Sequence, residues 1–88
     1  MKYKPGDILF YKDEGGDPWL VKVAHRFIGW YEGDINPDIF PHKYYDVQAT
    51  KLEEDRGFLA INRKITKEFA WVRENCLSKL NTNLAKLI

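Results

Sequence analysis

The chain has 88 residues, which is the length of one small domain. Its 14 Lys and Arg residues against 13 Asp and Glu leave a net charge of +1, so the balance of charge provides no global basic surface for nucleic acid. The single cysteine rules out an internal disulfide, and no apolar run is long enough to cross a membrane. We therefore expect a soluble, cytoplasmic domain. Aromatic residues make up 15% of the chain and provide core volume for so short a sequence.

The first third of the chain predicts two β-strands. Pro5-Gly6-Asp7 is a turn signal, and the apolar run 8–11 follows it as a short strand. Residues 12–18 (KDEGGDP) predict a loop, and residues 19–31 begin with strand-like alternation. The alternation places Trp19, Val21, Val23, His25 and Phe27 on one face. An amphipathic helix over 20–28 is the alternative, because a short apolar run fits both periods.

The middle of the chain predicts a long loop followed by three further strands. Residues 29–43 carry two prolines and two glycines, and their length makes them a candidate functional loop. In 44–52 the pattern places Tyr45, Val47 and Ala49 on one face. The remaining predicted segments are a charged turn at 53–57, a strand at 58–65, a turn at 66–68 and a strand at 69–72.

The C-terminal segment 74–88 has the leucine spacing of a helix. Intervals of three, four and three separate Leu77, Leu80, Leu84 and Leu87. This apolar stripe predicts either a lid over the domain or a surface for a partner, including a second copy in a homodimer. We expect a domain over 1–80 and a helical tail over 81–88 that packs on it or on a partner.

Four short motifs resemble the layout of SH3-like barrels, in particular their Tudor and chromo-barrel branch. They are GDIL at 6–9, DPWLVKV at 17–23, YYDVQA at 44–49 and WVRENCL at 71–77. The resemblance implies a mainly β fold, a small five-stranded SH3-like barrel with a short C-terminal helical segment. It also implies a binding module rather than an enzyme, with no cofactor.

Barrels of this kind present aromatic side chains at one rim, where they bind cationic side chains or stack on bases. Because Trp19 and Tyr45 share parity with apolar strand positions, we expect both in the core. The candidate rim residues are Trp30, Tyr31, Tyr11, Tyr44, Trp71 and Phe40. The most favoured partner is another protein, and the small size fits an accessory or inhibitor protein of viral origin.

A second resemblance, to the permuted papain-like hydrolases related to the NlpC/P60 peptidases, gives an alternative function. GDIL at 6–9 is followed in the required order by His25, Gln48 and Cys76. That resemblance implies Cys76 as nucleophile, His25 as its base and Gln48 as the group that orients the imidazole. The competing interpretation is a buried Cys76 within an apolar stripe and a half-buried strand histidine at position 25.

A third hypothesis is a nucleic-acid-binding barrel with a local basic face. Its candidate residues are Lys22, Arg26, Lys43 and Arg63. An ordinary solvated surface with interspersed acids is the alternative. We expect no metal site, because His25, His42 and Cys76 do not fall at paired-ligand spacing.

Overall fold

The structure, a computed structural model, describes residues 1–29 and 42–80. Its strands are β1 (Ile8–Lys12), β2 (Pro18–Gly29), β3 (His42–Asp55), β4 (Phe58–Arg73) and β5 (Leu77–Lys79). They form one antiparallel sheet in the order β4-β3-β2-β1-β5. A 3₁₀ turn at Glu74–Cys76 joins β4 to β5 and is the only helical element of the described ranges. The predicted mainly β class with five strands is confirmed.

One face of the sheet, here called the inner face, carries the core. Val21 of β2 pairs with Ala49 of β3, and all three adjacent inner strands follow the same alternation. The two edge strands, β4 and β5, also contribute to this one cluster, so the sheet must curl around it. The members of the cluster are Tyr3, Leu9, Trp19, Val21, Val23, Tyr45, Val47, Ala49, Val72 and Leu77. The prediction that Trp19 and Tyr45 are core residues is confirmed.

Two β-bulges flank Asp46 in the central strand β3. On the β2 side Ala24 is the extra residue, since Val23 pairs with Val47 and His25 pairs with Asp46. On the β4 side two residues, 70 and 71, lie opposite Asp46. Each bulge shifts the inner and outer parity of its strand by one residue.

The structure of β2 corrects one prediction made from strict alternation and decides between strand and helix for residues 20–28. Phe27, predicted on the same face as Trp19, pairs with Tyr44 and lies on the opposite, outer face. Residues 20–28 are strand throughout, so the helical alternative is wrong. Strand β3 pairs along this segment and β1 pairs with its first residues, 20–22, and that tertiary pairing outweighs its ambiguous period.

The predicted turn at 66–68 is wrong, because these residues lie inside β4. Thr66 pairs with Thr50 and Lys67 with Ala49, and the segment contains no glycine or proline to end the strand. The irregularity comes earlier, at residues 63–65, which have no partner in β3. Ile65 lies in this excursion and is 43% exposed.

The leucine stripe is not one helical surface. Leu77 lies in β5 and is buried in the core, where it cannot contribute to a dimer interface. Leu80 is half-buried, whereas Leu84, Leu87 and the whole predicted tail 81–88 lie outside the described residues. No helix within residues 1–29 and 42–80 has the length and apolar character needed to cross a membrane.

Candidate binding groove

Three of the predicted rim residues, Tyr11, Tyr44 and Trp71, line the same open groove of about 580 Å³. The groove lies where the end of β4 faces the β1–β2 loop and the 3₁₀ turn. We call it the Trp71 groove. Its other described lining residues are Lys12, Asp13, Glu14, Ala70, Val72, Arg73 and Cys76.

Trp71 is the most unusual residue of the groove. Its φ of 56° lies in the left-handed region, which a bulky side chain rarely adopts. Its ring packs edge-on against Phe27 and Tyr44, with centroid separations of 4.8 and 5.0 Å, yet 43% of the residue remains exposed. Backbone strain in a partly exposed aromatic residue is a frequent mark of a functional position.

The β1–β2 loop forms an acidic wall of the groove, and Asp13 fixes its shape. The Asp13 carboxylate accepts hydrogen bonds from Trp19 Nε1 and from the backbone N–H of Asp17, both at 2.9 Å. The hydrogen bond from Trp19 is the main reason why the pKa of Asp13 lies below its usual value. Lys51 braces the same loop, since its ammonium lies 3.3 Å from an Asp17 oxygen. Asp13 is therefore a fixed negative charge at the groove.

Tyr11 lines the groove with a raised pKa and a ring held in place by the core. Burial is the main cause of a raised pKa of the Tyr11 phenol, and electrostatic interactions with Cys76, Asp13 and Glu14 raise it further. The Tyr11 ring is also held in place by Phe69, whose ring lies edge-on at a centroid distance of 5.0 Å. The groove thus combines a neutral phenol near two carboxylates with a partly exposed tryptophan.

The remaining rim candidates, Trp30, Tyr31 and Phe40, and most of the loop 29–43 lie outside the described residues. Sequence reasoning also missed three residues that contribute to the site. Phe27 was placed on the same face as Trp19 because its parity was counted without the bulge. Asp13 and Glu14 were assigned only to a loop, although the glycines that follow them were a signal that this loop folds back tightly.

The basic residues predicted to form one face are dispersed. Lys22 pairs with Gln48 on the outer face, whereas the β2 bulge places Arg26 opposite buried Tyr45 on the inner side. Arg26 donates to the backbone oxygen of Tyr3 at 3.1 Å, near the N-terminal segment. Lys43 lies at the start of β3 and Arg63 in the excursion of β4. Lys22 and Arg26 therefore do not share a face.

The residues of the hydrolase hypothesis occupy two different places. Cys76 is exposed, not buried as the apolar stripe suggested, and lines the Trp71 groove. His25 is exposed too, on the outer face opposite Asp46, with its ring stacked on Phe27 at 5.7 Å. Neither His25 nor Gln48 is among the described residues that line the groove with Cys76. The hydrolase alternative stays a prediction without a shared site to support it.

No group of three or more His, Cys, Asp or Glu side chains within residues 1–29 and 42–80 is arranged to hold a metal ion. Comparison of the chain with protein families, curated proteins and solved structures finds no match.

Proposed function

We propose that this protein is a non-enzymatic binding module that holds a segment of another protein in the Trp71 groove. The observation that carries the proposal is Trp71 itself, a residue that is 43% exposed and whose ring packs against Phe27 and Tyr44. Partly exposed tryptophans on a packed base are the side chains that dominate protein interfaces. A module of this size fits an accessory or inhibitor protein that acts by occupying its partner.

The sheet order supports the SH3-like interpretation of the sequence. Successive strands are neighbours from β1 to β4, β5 returns to pair with β1, and a single 3₁₀ turn precedes β5. This is the layout to which the four sequence motifs are similar. In such barrels the binding surface lies among aromatic residues at one rim, which agrees with the position of Tyr11 and Trp71 in one groove.

The charge pattern favours a basic segment as ligand. The charges of the groove lining balance overall, with Lys12 and Arg73 against Asp13 and Glu14. The two carboxylates, however, lie together in the loop that follows β1, and both raise the pKa of Tyr11. A Lys or Arg side chain near the exposed indole would gain cation–π attraction as well as the attraction of these carboxylates. Nucleic acid is the less favoured ligand, because the groove has no excess of positive charge and its phosphates would be repelled by Asp13 and Glu14.

The test is selection from a library of random 12-residue peptides, followed by affinity measurement for the recovered sequences. We expect enrichment of Lys and Arg, and a loss of at least about 30-fold in affinity for Trp71→Ala, as for a tryptophan at the centre of an interface. Phe58→Ala is the matched control, because Phe58 is 62% exposed but lies at the far tip of the β3–β4 hairpin.

Three outcomes would contradict the proposal. One is the recovery of no binding peptide. Another is equal affinity of the Trp71→Ala variant, which would move the surface elsewhere, for instance to Trp30 and Tyr31. The third is an affinity for duplex DNA, measured by mobility shift at low salt, that is higher than the affinity for any library peptide. That result would favour the nucleic-acid hypothesis.

A further inference from the structure

We infer that Asp46 is a positioning residue that holds Trp71 in its binding orientation, an inference that rests on the proposed function of the Trp71 groove. Asp46 lies in the central strand β3 and is not among the described residues that line the groove. It acts on the site through Trp71. Its carboxylate oxygen Oδ1 accepts a hydrogen bond from the backbone N–H of Trp71 at 3.3 Å.

This hydrogen bond compensates for the bulge in β4. Residues 70 and 71 together oppose Asp46, and a bulge leaves one residue out of the regular ladder of backbone hydrogen bonds. The Asp46 side chain supplies an acceptor to Trp71 at this point. The same contact fixes a backbone φ of 56°, which an L-residue other than glycine adopts only at a cost and only where its surroundings hold it there.

The bulge decides where the indole points. Phe69 pairs with Val47 and Val72 pairs with Tyr45, and these partners all lie on the inner face. Phe69 and Val72 are three residues apart, so an unbulged strand would place them on opposite faces. With the bulge, both can face the core, and Trp71 packs on the outer face against Phe27 and Tyr44.

Strand β2 also has its bulge next to Asp46. Its extra residue, Ala24, lies next to His25, the partner of Asp46. This second bulge brings Phe27 opposite Tyr44 and so completes the aromatic base under the indole. Asp46 is thus the position in β3 about which both neighbouring strands change parity. We assign it the role of setting the orientation of Trp71.

The experiment compares Asp46→Ala with Asp46→Asn, which keeps a side-chain oxygen acceptor at the same position. The control is Gln48→Ala, two residues further on the outer face of β3 and exposed. The first readout needs no ligand: the indole N–H resonance of Trp71, assigned by its loss in Trp71→Phe. The second readout is the affinity for the tightest 12-residue peptide from the library.

We expect Asp46→Ala to shift the Trp71 indole resonance and to lower peptide affinity about tenfold, because Trp71 would relax from its left-handed conformation and leave its binding orientation. Asp46→Asn and Gln48→Ala should leave both readouts as in the parent protein. An unshifted indole in Asp46→Ala would overturn the inference, and so would a shift of equal size in Asp46→Asn.

The two proposals can fail separately. If the indole moves in Asp46→Ala but peptide affinity does not change, the groove is not the binding site, although Asp46 does position Trp71. If the parent protein binds no peptide, the proposed function fails, while the indole resonance still decides the role of Asp46. If Asp46→Ala does not fold, the comparison of Asp46→Asn with Asp46→Ser tests the inference instead. We expect the shorter Ser side chain to displace the indole. An indole resonance that is unchanged in Asp46→Ser would overturn the inference.

Discussion

At the residue scale, a buried phenol and a carboxylate anchor the N-terminal segment to the core. Tyr45, which has no exposed surface, donates to Glu74 Oε2 at 2.6 Å and accepts from the backbone N–H of Tyr3 at 3.1 Å. The same Glu74 oxygen accepts from the backbone N–H of Lys2 at 3.0 Å. Because Tyr3 is itself a core residue, this network connects the start of the chain to the 3₁₀ turn before β5.

The network makes stability depend on pH. Burial by itself would raise the pKa of Glu74, but the hydrogen bonds from Tyr45 and Lys2, with the positive charges of Lys43 and the N-terminus, outweigh it and leave this pKa lowered. The stabilisation is therefore complete above the unfolded carboxyl pKa of about 4.3 and is lost as the pH falls through the lower folded value.

We predict that Glu74→Gln lowers the free energy of unfolding by about 1 kcal/mol at neutral pH, since a charge-assisted hydrogen bond is replaced by a neutral one. The difference from the parent protein should shrink as the pH falls below about 4. Urea unfolding across this pH range measures the effect. Glu68→Gln, an exposed outer-face change in β4, is the control. A constant difference at every pH would contradict the prediction.

At the element scale, the long β3–β4 hairpin closes through a two-residue turn with one unfavourable residue. Asp55 pairs with Phe58, and the two residues between them, Arg56 and Gly57, have φ values of 52° and 85°. Positive φ at both central positions is typical of a type I′ turn, for which Asn-Gly is the preferred pair. Arg56 occupies the position that Asn tolerates better.

We predict that Arg56→Asn raises the free energy of unfolding by about 0.5–1 kcal/mol, because Asn adopts the left-handed region at lower cost. Gly57→Ala should act in the opposite direction by about 1 kcal/mol. A Cβ at Gly57 would meet no atom within 4 Å, so this second effect is one of backbone conformation alone. Thermal unfolding of both variants tests the pair, and a loss of stability in Arg56→Asn would refute the turn assignment.

At the scale of the whole molecule, the groove is assembled from segments that are distant in the chain. Tyr11 and Glu14 come from the end of β1 and its loop, Tyr44 from β3, Trp71 from β4, and Cys76 from the 3₁₀ turn. Cys76 is an exposed thiol within this surface and is the only cysteine of the chain. It provides a chemical handle on the proposed binding site.

We predict that a bulky maleimide label on native Cys76 blocks binding of the library peptide, because the label occupies the groove. Cys76→Ser should bind the peptide as the parent does and should be insensitive to the reagent. Since binding and not thiol catalysis is proposed, His25→Ala should leave the rate of iodoacetamide alkylation at Cys76 unchanged. Full peptide affinity after labelling would place the site elsewhere, and slower alkylation in His25→Ala would favour the hydrolase hypothesis.

Local patterns in the sequence determined the class of the fold and much of its core. The alternation of Tyr45, Val47 and Ala49 and the parity of Trp19 follow from the two-residue period of a strand, which is a local property. The KDEGGDP loop between the first two strands was predicted for the same reason, since glycine and proline limit the backbone locally. These parts needed no knowledge of which strands pair.

Only the tertiary structure decided the faces beyond each bulge and the assembly of the site. A bulge is defined by the pairing register of two strands. The changes of inner and outer parity at Ala24 and Trp71 therefore could not be predicted from the sequence of one strand alone. Those changes moved Phe27 off the face of Trp19, separated Arg26 from Lys22 and placed Trp71 over an aromatic base. The sequence therefore determined that this is a small β domain rich in aromatic residues. Strand pairing about Asp46 decided which of those aromatic residues meet at the groove.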